Sequence, residues 1–285
     1  MSFEYWYMLP VSILVATIAM ASGVGGATFF APIFILGLRL QPEVAIGTGL
    51  ITEVFGFSSG LFAYFRQRVI DYGLGLSLLM VTIPAALLGT LIAARIQPDL
   101  LKMALGVGLF AVAAGFLRTP ERADILRLDD AIAKEHGDKR GQTCLHTADG
   151  REICYTVCNR NEGRIISGIG GLFVGMISTG LGELNGYFLL QRCRVPSSVS
   201  VATSVFVVAV TALAASLGHF VQFAHAGNQV LDTVFSIVIF TIPGVIIGGQ
   251  LGPLLARRIP QHTLEKALGV LFALVATLTL IEVLL

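Results

Sequence analysis

A long apolar segment in the second half of the chain is interrupted at residues 178–186, which read Ser-Thr-Gly-Leu-Gly-Glu-Leu-Asn-Gly. Glycine costs a helix about 1 kcal/mol relative to alanine, so three glycines within seven residues predict a break. A similar break is predicted at residues 22–28, Ser-Gly-Val-Gly-Gly-Ala-Thr. Within a bilayer, freed backbone groups must be buried in protein or line a cavity, because lipid offers them no hydrogen-bond partners. Two such breaks constrain the fold more than any other feature.

The composition is that of a chain with several membrane spans. Of its 285 residues 55% are hydrophobic and 13% are charged, about half the charged fraction usual in soluble domains. The net charge of +1 gives no electrostatic reason to expect nucleic acid as a partner. No Lys or Arg precedes the first apolar segment, so we expect that segment to remain in the mature protein rather than act as a signal peptide.

Landmarks recur in the same order in the two halves. Pro84 and Gly89 match Pro243 and Gly248, and Gly47-Thr48-Gly49 matches Ala202-Thr203-Ser204. The order indicates an internal duplication. We therefore predict a first transmembrane repeat over 1–117, a soluble insert over 118–164 and a second repeat over 165–285. The apolar segments themselves cover 7–38, 43–65, 72–95, 99–117, 165–192, 196–223, 229–256 and 262–284.

The distribution of Lys and Arg distinguishes two topologies. If both broken segments cross the membrane once, the 19 cations divide eleven to eight between the two sides. If both are re-entrant hairpins, the division is three to sixteen, which the positive-inside rule favours. We predict an all-α polytopic membrane protein of two inverted repeats, each a re-entrant broken helix plus three transmembrane helices, with the insert cytoplasmic. The eight-span topology is the alternative.

The insert contains three of the four cysteines. Residues 124–135 are typical of a short charged helix, and the sequence around 148–150 predicts a β-hairpin. A three-residue loop would place Cys144, His146 and Cys154 on one face, whereas a two-residue loop would separate the cysteines. The spacing matches no standard zinc pattern. We therefore expect reduced cytosolic thiols, no bound metal and no cofactor.

The breaks supply candidates for binding a substrate. A helix that restarts after a break points its free N–H groups and positive dipole end at the gap, and so favours an anion. Broken helices at matching places in two repeats are the best sequence indication of a transporter's binding site. The predicted binding residues are small or carry a hydroxyl or amide group: Ser22, Gly23, Gly25, Gly26, Thr28, Thr48, Gly180, Gly182, Asn185, Thr203 and Ser204.

Two carboxyl groups are candidates for proton coupling. Glu53 lies about ten residues from either end of its span, and Glu183 lies within the second break. Ionisable groups at membrane depth are costly and often functional. The alternative is structural: Glu53 would be a buried neutral carboxyl, and Glu183 would cap the restarted helix.

An enzyme is a remote alternative. Gly56-Phe57-Ser58-Ser59-Gly60 matches the nucleophile pattern G-x-S-x-G, and His219 lies in another span, so an intramembrane serine protease is conceivable. That interpretation leaves the duplication and both breaks unexplained. We expect His219 to be interfacial and the glycines of this motif to serve helix packing.

Several of these motifs resemble one known family. The glycine-rich break before Ala31-Pro32, Ala45-Ile46-Gly47-Thr48, the Pro84–Gly89 span and Gly180-Leu181-Gly182-Glu183-Leu184 resemble the TauE/SafE sulfite and organosulfonate exporters. The resemblance implies a bacterial inner-membrane permease that exports sulfite or a small sulfonate.

The expected partners are therefore a small sulfur-containing anion and the lipid bilayer. The sequence leaves open whether the protein forms a homodimer. It also leaves open an uptake permease of the same fold and a membrane scaffold that transports nothing.

Overall fold

The computed structural model describes residues 3–22, 27–118, 127, 143–256 and 261–284. Within these ranges the chain is almost entirely helical, and short π-helical turns at Ile33–Gly37 and Tyr187–Arg192 extend α2 and α7. The α-helices are α1 Met8–Ser22, α2 Ala27–Pro32, α3 Pro42–Gln67, α4 Tyr72–Ala93, α5 Pro98–Leu117, α6 Arg160–Ile177, α7 Leu181–Gly186, α8 Ser197–Ala226, α9 Asn228–Ala256 and α10 Gln261–Leu284.

Six of these helices, α3, α4, α5, α8, α9 and α10, are long and apolar enough to cross a bilayer. By contrast α1 has 15 residues and spans about 22 Å at 1.5 Å per residue, less than the roughly 30 Å of hydrocarbon. The predicted all-α polytopic membrane fold is confirmed at this level. The predicted charged helix at 124–135 lies outside the described residues, apart from Arg127.

Proline and aspartate fix several helix starts. Pro42 and Pro98 occupy the first turn of α3 and α5, where a missing N–H costs nothing. Asp71 caps α4 by accepting the Leu74 N–H at 2.9 Å. Just before it, α3 ends at Arg68 in the left-handed conformation. The connection between α3 and α4 is therefore a tight, capped turn.

Equivalent contacts recur in the two halves. Helix α1 packs along α9, and α6 packs along α4. Two threonine pairs, Thr52 with Thr241 and Thr82 with Thr211, are each joined at 2.8 Å between buried hydroxyls. Thr52 in the first half corresponds to Thr211 in the second, and Thr82 corresponds to Thr241. The offset in residue number is 159 in both cases, since 211 − 52 and 241 − 82 both equal 159.

The offset in residue number between the two halves is different in the loops that precede α3 and α8. Arg39 and Arg194 share a positive φ of 53° and 52° in the loops that precede these helices, and 194 − 39 is 155. The sequence match of Thr48 with Thr203 also has this shift. Helix α8 has 30 residues and α3 has 26. This difference of four residues equals the change in offset from 155 to 159. Helix α8 thus carries about one extra turn, between its start and Thr211.

Close contact of α4 with α6 and of α9 with α1 depends on glycine. A Cβ on Gly175 would overlap the carbonyl oxygen of Ala86, and a Cβ on Gly248 would lie 2.7 Å from the Cβ of Ala16. Small residues let membrane helices approach until their backbones touch, and dispersion then stabilises the pair.

The two ends of the second broken segment lie together. Arg192 Nε donates to Glu162 Oε1 at 3.0 Å, and Cys158 forms a disulfide with Cys193. The segment 160–192 therefore leaves on the side where it enters. The first broken segment ends near Arg39, just before α3 begins, where Arg39 lines a cavity with Lys102 and Glu282. The insert, which leads into the second broken segment, contacts the other end of α3, where the Ala148 N–H donates to the Gln67 carbonyl. The 26 residues of α3 separate these ends by about 39 Å.

The predicted hairpin of the insert is present. Strand β1 (Thr143–His146) pairs antiparallel with β2 (Glu152–Tyr155), and Cys144 stands opposite Cys154. The connection is the three-residue alternative, residues 148–150, because the Thr147 N–H donates to the Arg151 carbonyl at 2.9 Å. As expected for that loop, the register places both cysteines on one face.

The expectation of reduced thiols is wrong for this structure. Cys144 is bonded to Cys154, and Cys158 is bonded to Cys193. The first pair follows from the strand register. The second follows from the return of the broken segment to its starting side, a pairing across 35 residues that no local pattern indicates.

The expectation that His219 is interfacial is also wrong. Its side chain is fully buried, and its Nε2 lies 2.9 Å from the Gly175 carbonyl. The imidazole therefore joins α8 to α6 in the interior of the bundle.

The glycine contact gives a stability prediction. Gly175→Ala should destabilise the protein by about 1–3 kcal/mol or more, because the new methyl group meets backbone and not a movable side chain. Gly56→Ala is the matched control, because no described atom of a neighbouring element lies within 4 Å of its added Cβ. The expectation that Gly56 serves helix packing is therefore wrong. Thermal unfolding in detergent should show a lower Tm for Gly175→Ala only. Equal Tm values would contradict the packing described.

Candidate substrate cavity

The second break is formed by two residues with unusual backbone angles. Helix α6 ends at Ile177, Ser178 adopts the left-handed conformation at φ 58°, and Gly180 has φ 105°. Only glycine readily adopts a φ of 105°, which explains why residue 180 is a glycine. Helix α7 then begins at Leu181 and continues into the π-helical turn through Tyr187, whose φ of −57° and ψ of −51° are helical. The restarted helix therefore runs from 181 to 192.

The structure brings the two breaks together. Residues 23–26 lie outside the described residues, and α2 begins directly after them. Thr28, near the start of α2, donates from its hydroxyl to that of Thr179 at 3.3 Å, and both side chains are buried. The restart of one broken helix thus touches the break of the other, as the duplicated pattern predicts.

A cavity of about 220 Å³ lies at this junction. Helices α2, α3, α5, α6, α7 and α8 all contribute to its wall. Among the described residues its wall contains no Lys, Arg or His, and its polar side chains are four hydroxyls and two carboxyls: Thr28, Ser178, Thr179, Ser204, Glu53 and Glu183. The cavity is smaller than the 300–1,000 Å³ of typical ligand sites, so it suits a small ion.

Glu183 lies in the first turn of the restarted helix. Its carboxylate accepts hydrogen bonds from the backbone N–H groups of Gly180 and of Glu183 itself. Those N–H groups lie at the start of the restarted helix, where no intrahelical acceptor exists. The side chain is nevertheless exposed to the cavity space. Its carboxylate thus occupies the backbone N–H donors that we predicted from the sequence to bind an anion.

Glu53 reaches the cavity from the first half of the chain. It lies on α3, its side chain is 5% exposed, and it lines the cavity wall. The neighbouring Thr52 is engaged with Thr241 on α9. The two carboxyls predicted for proton coupling therefore line one cavity.

The predicted glycines of the second break also line it. Gly180 and Gly182 are both in the wall, and a Cβ on Gly182 would meet only Val208 Cγ2, at 3.9 Å. The corresponding Gly23, Gly25 and Gly26 lie outside the described residues. Ser22 ends α1, and its side chain is likewise outside them.

Three predicted residues lie outside the cavity wall. Thr48 donates to the Val44 carbonyl of its own helix at 2.6 Å. Thr203 accepts the Asp71 N–H at 3.0 Å. The third, Asn185, is fully buried and accepts from the Ser167 hydroxyl at 2.7 Å. Thr203 and Asn185 thus join different elements of the structure, whereas the Thr48 hydroxyl bonds within its own helix.

Two cavity hydroxyls were missed as binding candidates. Ser178 and Thr179 directly precede Gly180, and their position inside the break was the signal that could have identified them. The Ser178 hydroxyl is buried and has no hydrogen-bond partner among the described atoms. A buried unpaired hydroxyl is costly, so a ligand that accepts from it is favoured.

The serine protease alternative is not supported by the side-chain contacts. Ser58 donates to the Val54 carbonyl at 2.7 Å, and Ser59 accepts from Gln250 at 2.8 Å. His219 instead contacts the Gly175 carbonyl. No described contact joins a serine of the motif to the histidine, as a nucleophile and its base would require.

Six spanning helices around two broken helices that meet at a small polar cavity define a membrane transporter. The family described as "Sulfite exporter TauE/SafE" matches residues 8–279, and the chain belongs to this family. It is therefore a multi-pass membrane protein of a transporter family and not an enzyme.

Two curated relatives come from Bacillus subtilis (strain 168). "Probable membrane transporter protein YunE" is 20% identical over 275 residues, covering 94% of each chain. "Probable membrane transporter protein YjnA" is 27% identical over 274 residues, covering 88% of this chain and 91% of the relative. No solved structure matches the chain.

Proposed function

We propose that the protein exports a small sulfur oxyanion, sulfite or an organosulfonate, through the cavity where the two breaks meet. The observation that carries the proposal is the convergence of both broken helices on a small cavity lined by hydroxyls and by the start of a restarted helix. The family's description as sulfite exporters supports the substrate class. The breaks would also let the two halves move relative to each other, as transporters with broken helices do.

The anion would be held by hydrogen bonds and the helix dipole. Gly180, Leu181 and Gly182 at the start of α7 line the cavity, together with the hydroxyl-bearing Ser178, Thr179 and Ser204. A helix N-terminus favours a negative charge by about 0.3–1 kcal/mol, or more when partly buried. Binding without a buried cation is weak enough to allow release, which a carrier needs.

The two carboxyls make this binding depend on protons. One unit charge 4 Å from another costs about 4 kcal/mol at an effective dielectric constant of 20. An anion that enters between ionised Glu53 and Glu183 would meet this repulsion, and Glu183 would also occupy the backbone donors. We propose that protonation of Glu183 frees those donors, so that proton and anion bind together.

The charge of the substrate would then decide the direction. A dianion that leaves with one proton carries one net negative charge outward. It gains about 2.3 kcal/mol per 100 mV of inside-negative potential and loses about 1.4 kcal/mol per unit of inward pH gradient. A monoanion with one proton is electroneutral, so an inward pH gradient favours uptake. An uptake permease is thus the alternative for a monoanionic sulfonate.

For orientation, we propose inverted repeats over 1–117 and 165–285 in the bacterial inner membrane, with the insert 118–164 cytoplasmic. The distribution of three against sixteen cations supports this. So do the ends of the two broken segments, which lie at opposite ends of α3. The disulfides argue for an oxidising compartment instead. We give the charge bias more weight because it sums over every cation of the chain.

The cavity itself is tested at Gly182. Gly182→Leu should abolish flux of labelled sulfite into proteoliposomes, because its side chain fills the cavity. Gly182→Ala is the matched control and should keep most of it, because its Cβ makes only an ordinary contact with Val208. Both variants should keep the wild-type Tm in detergent. Normal flux through Gly182→Leu would exclude this cavity as the path.

Glu183→Gln tests the proton coupling. Binding should be measured by calorimetry with methanesulfonate, whose charge does not change near neutral pH. Wild-type affinity should fall as pH rises, because the ionised carboxylate keeps the donors. The variant should lose this pH dependence, since glutamine carries no ionisable proton. Glu162→Gln is the control outside the cavity and should behave as wild type. A pH profile unchanged in Glu183→Gln would leave the carboxyl as a cap only.

Cysteine labelling tests the orientation. In a background with all four native cysteines replaced by serine, Gln41→Cys and Gln191→Cys each place one thiol at an exposed position. A membrane-impermeant maleimide should label Gln41→Cys in intact cells, and Gln191→Cys only after permeabilisation. The eight-span topology places both positions on the same side, so equal labelling would contradict the re-entrant topology.

A further inference from the structure

The outward face of the insert hairpin carries four potential metal ligands. Cys144 and His146 are two residues apart on β1, and Glu152 and Cys154 are two residues apart on β2. The register sets Cys144 opposite Cys154 and His146 opposite Glu152. Side chains two apart on a strand share a face, and directly opposed residues share it as well. All four therefore project on the same side of the hairpin.

The opposite face holds the hairpin against the transmembrane bundle. Leu145, Ile153 and Tyr155 pack on the core, and Tyr155 is fully buried. Its hydroxyl donates to Asp71 Oδ2 at 2.7 Å. Burial and this hydrogen bond raise the pKa of Tyr155, so the phenol remains a neutral donor. The ligand face is therefore carried by an anchored platform.

The spacing of the ligand atoms fits a single ion. The ligand atoms of Cys144, Glu152 and Cys154 all lie within 4.8 Å of one another. His146 Nε2 lies 3.8 Å from Glu152 Oε1. Zinc bonds of about 2.3 Å to sulfur and 2.0–2.1 Å to nitrogen imply roughly 3.3–3.8 Å between ligands of a tetrahedral site. The two sulfurs are bonded to each other in the disulfide, so reduction must separate them before both can bind one ion.

We propose that the reduced hairpin binds one Zn²⁺ through the thiolates of Cys144 and Cys154 and the imidazole of His146, with Glu152 as the fourth ligand. A dithiol reductant gives two electrons to the Cys144–Cys154 bond, breaks it and becomes a cyclic disulfide. The two thiols formed on the protein lose their protons as the metal binds. The same two cysteines thus join the strands as a disulfide under oxidising conditions and through a metal under reducing ones.

The proposed cytoplasmic orientation decides which form is occupied in the cell. Glutathione and thioredoxin keep cytosolic thiols reduced, which favours the metal-bound form there. The metal site itself does not depend on the transport proposal, because its test involves neither a membrane nor a substrate. Cys158 and Cys193 serve as the internal comparison, since the described residues show a metal-type cluster at the hairpin and not at this pair.

Cobalt titration of the full-length protein in detergent tests the site. The protein is reduced with dithiothreitol, separated from it under anaerobic conditions and titrated with Co²⁺. We expect one Co²⁺ per chain, with thiolate charge-transfer and tetrahedral absorption bands that Zn²⁺ abolishes. Oxidised protein should show neither band. Loss of an outer-shell partner lowers metal affinity 10–100-fold, so loss of a direct ligand in Cys144→Ser or His146→Ala should exceed about 100-fold.

The double variant Cys158→Ser/Cys193→Ser is the matched control and should keep both the stoichiometry and the spectrum. Unchanged size-exclusion profiles for Cys144→Ser and His146→Ala would separate loss of a ligand from loss of fold. Glu152→Gln, which keeps the shape of the side chain, should weaken binding without removing the charge-transfer band. Absence of that band in reduced wild type, or an unchanged Co²⁺ affinity in Cys144→Ser, would overturn the proposal.

Discussion

Backbone groups that are not hydrogen-bonded cannot face lipid, and this constraint determines the arrangement of the chain. Each break frees N–H and C=O groups inside the membrane domain, so each must be covered by protein or face a polar cavity. The structure places the start of α2 against the second break, where Thr28 contacts Thr179 and Glu183 lies at the start of the restarted helix. Three of the spanning helices, α3, α5 and α8, line the cavity at this junction, and close glycine contacts hold α1 on α9 and α6 on α4. The cavity follows from the requirement that broken helices be shielded.

The sequence predicted the features that depend on composition and local backbone preference. Six spans follow from apolar length, and the second break follows from Gly180 and Gly182. It did not predict which hydroxyls face the cavity. A threonine in a helix can donate to its own backbone, as Thr48 does, or to a neighbour, as Thr28 does. The choice depends on tertiary packing, which one sequence does not reveal.

The cysteine pairing shows a second limit of prediction from the sequence. Cys144 and Cys154 are paired because a three-residue loop sets them opposite each other, whereas the Asp-Gly signal left a two-residue loop open as well. Cys193 meets Cys158 because the broken segment returns to its starting side. The position of a cysteine in the chain therefore says little about its partner. Both contacts arise from path and register, which are properties of the fold.

The cavity is chemically less symmetric than the helices around it. With the shift of 159 that relates Thr52 to Thr211, Glu53 corresponds to Ala212, and both line the cavity. One half thus supplies a carboxyl where the other supplies a methyl group. In a carrier built from inverted repeats, the two access states exchange the roles of the halves. Identical halves would then bind the substrate equally well in both states. A carboxyl at this position in one half and a methyl group in the other would make the two states differ in their affinity for protons and anions, and a ligand shifts a conformational equilibrium only through such a difference.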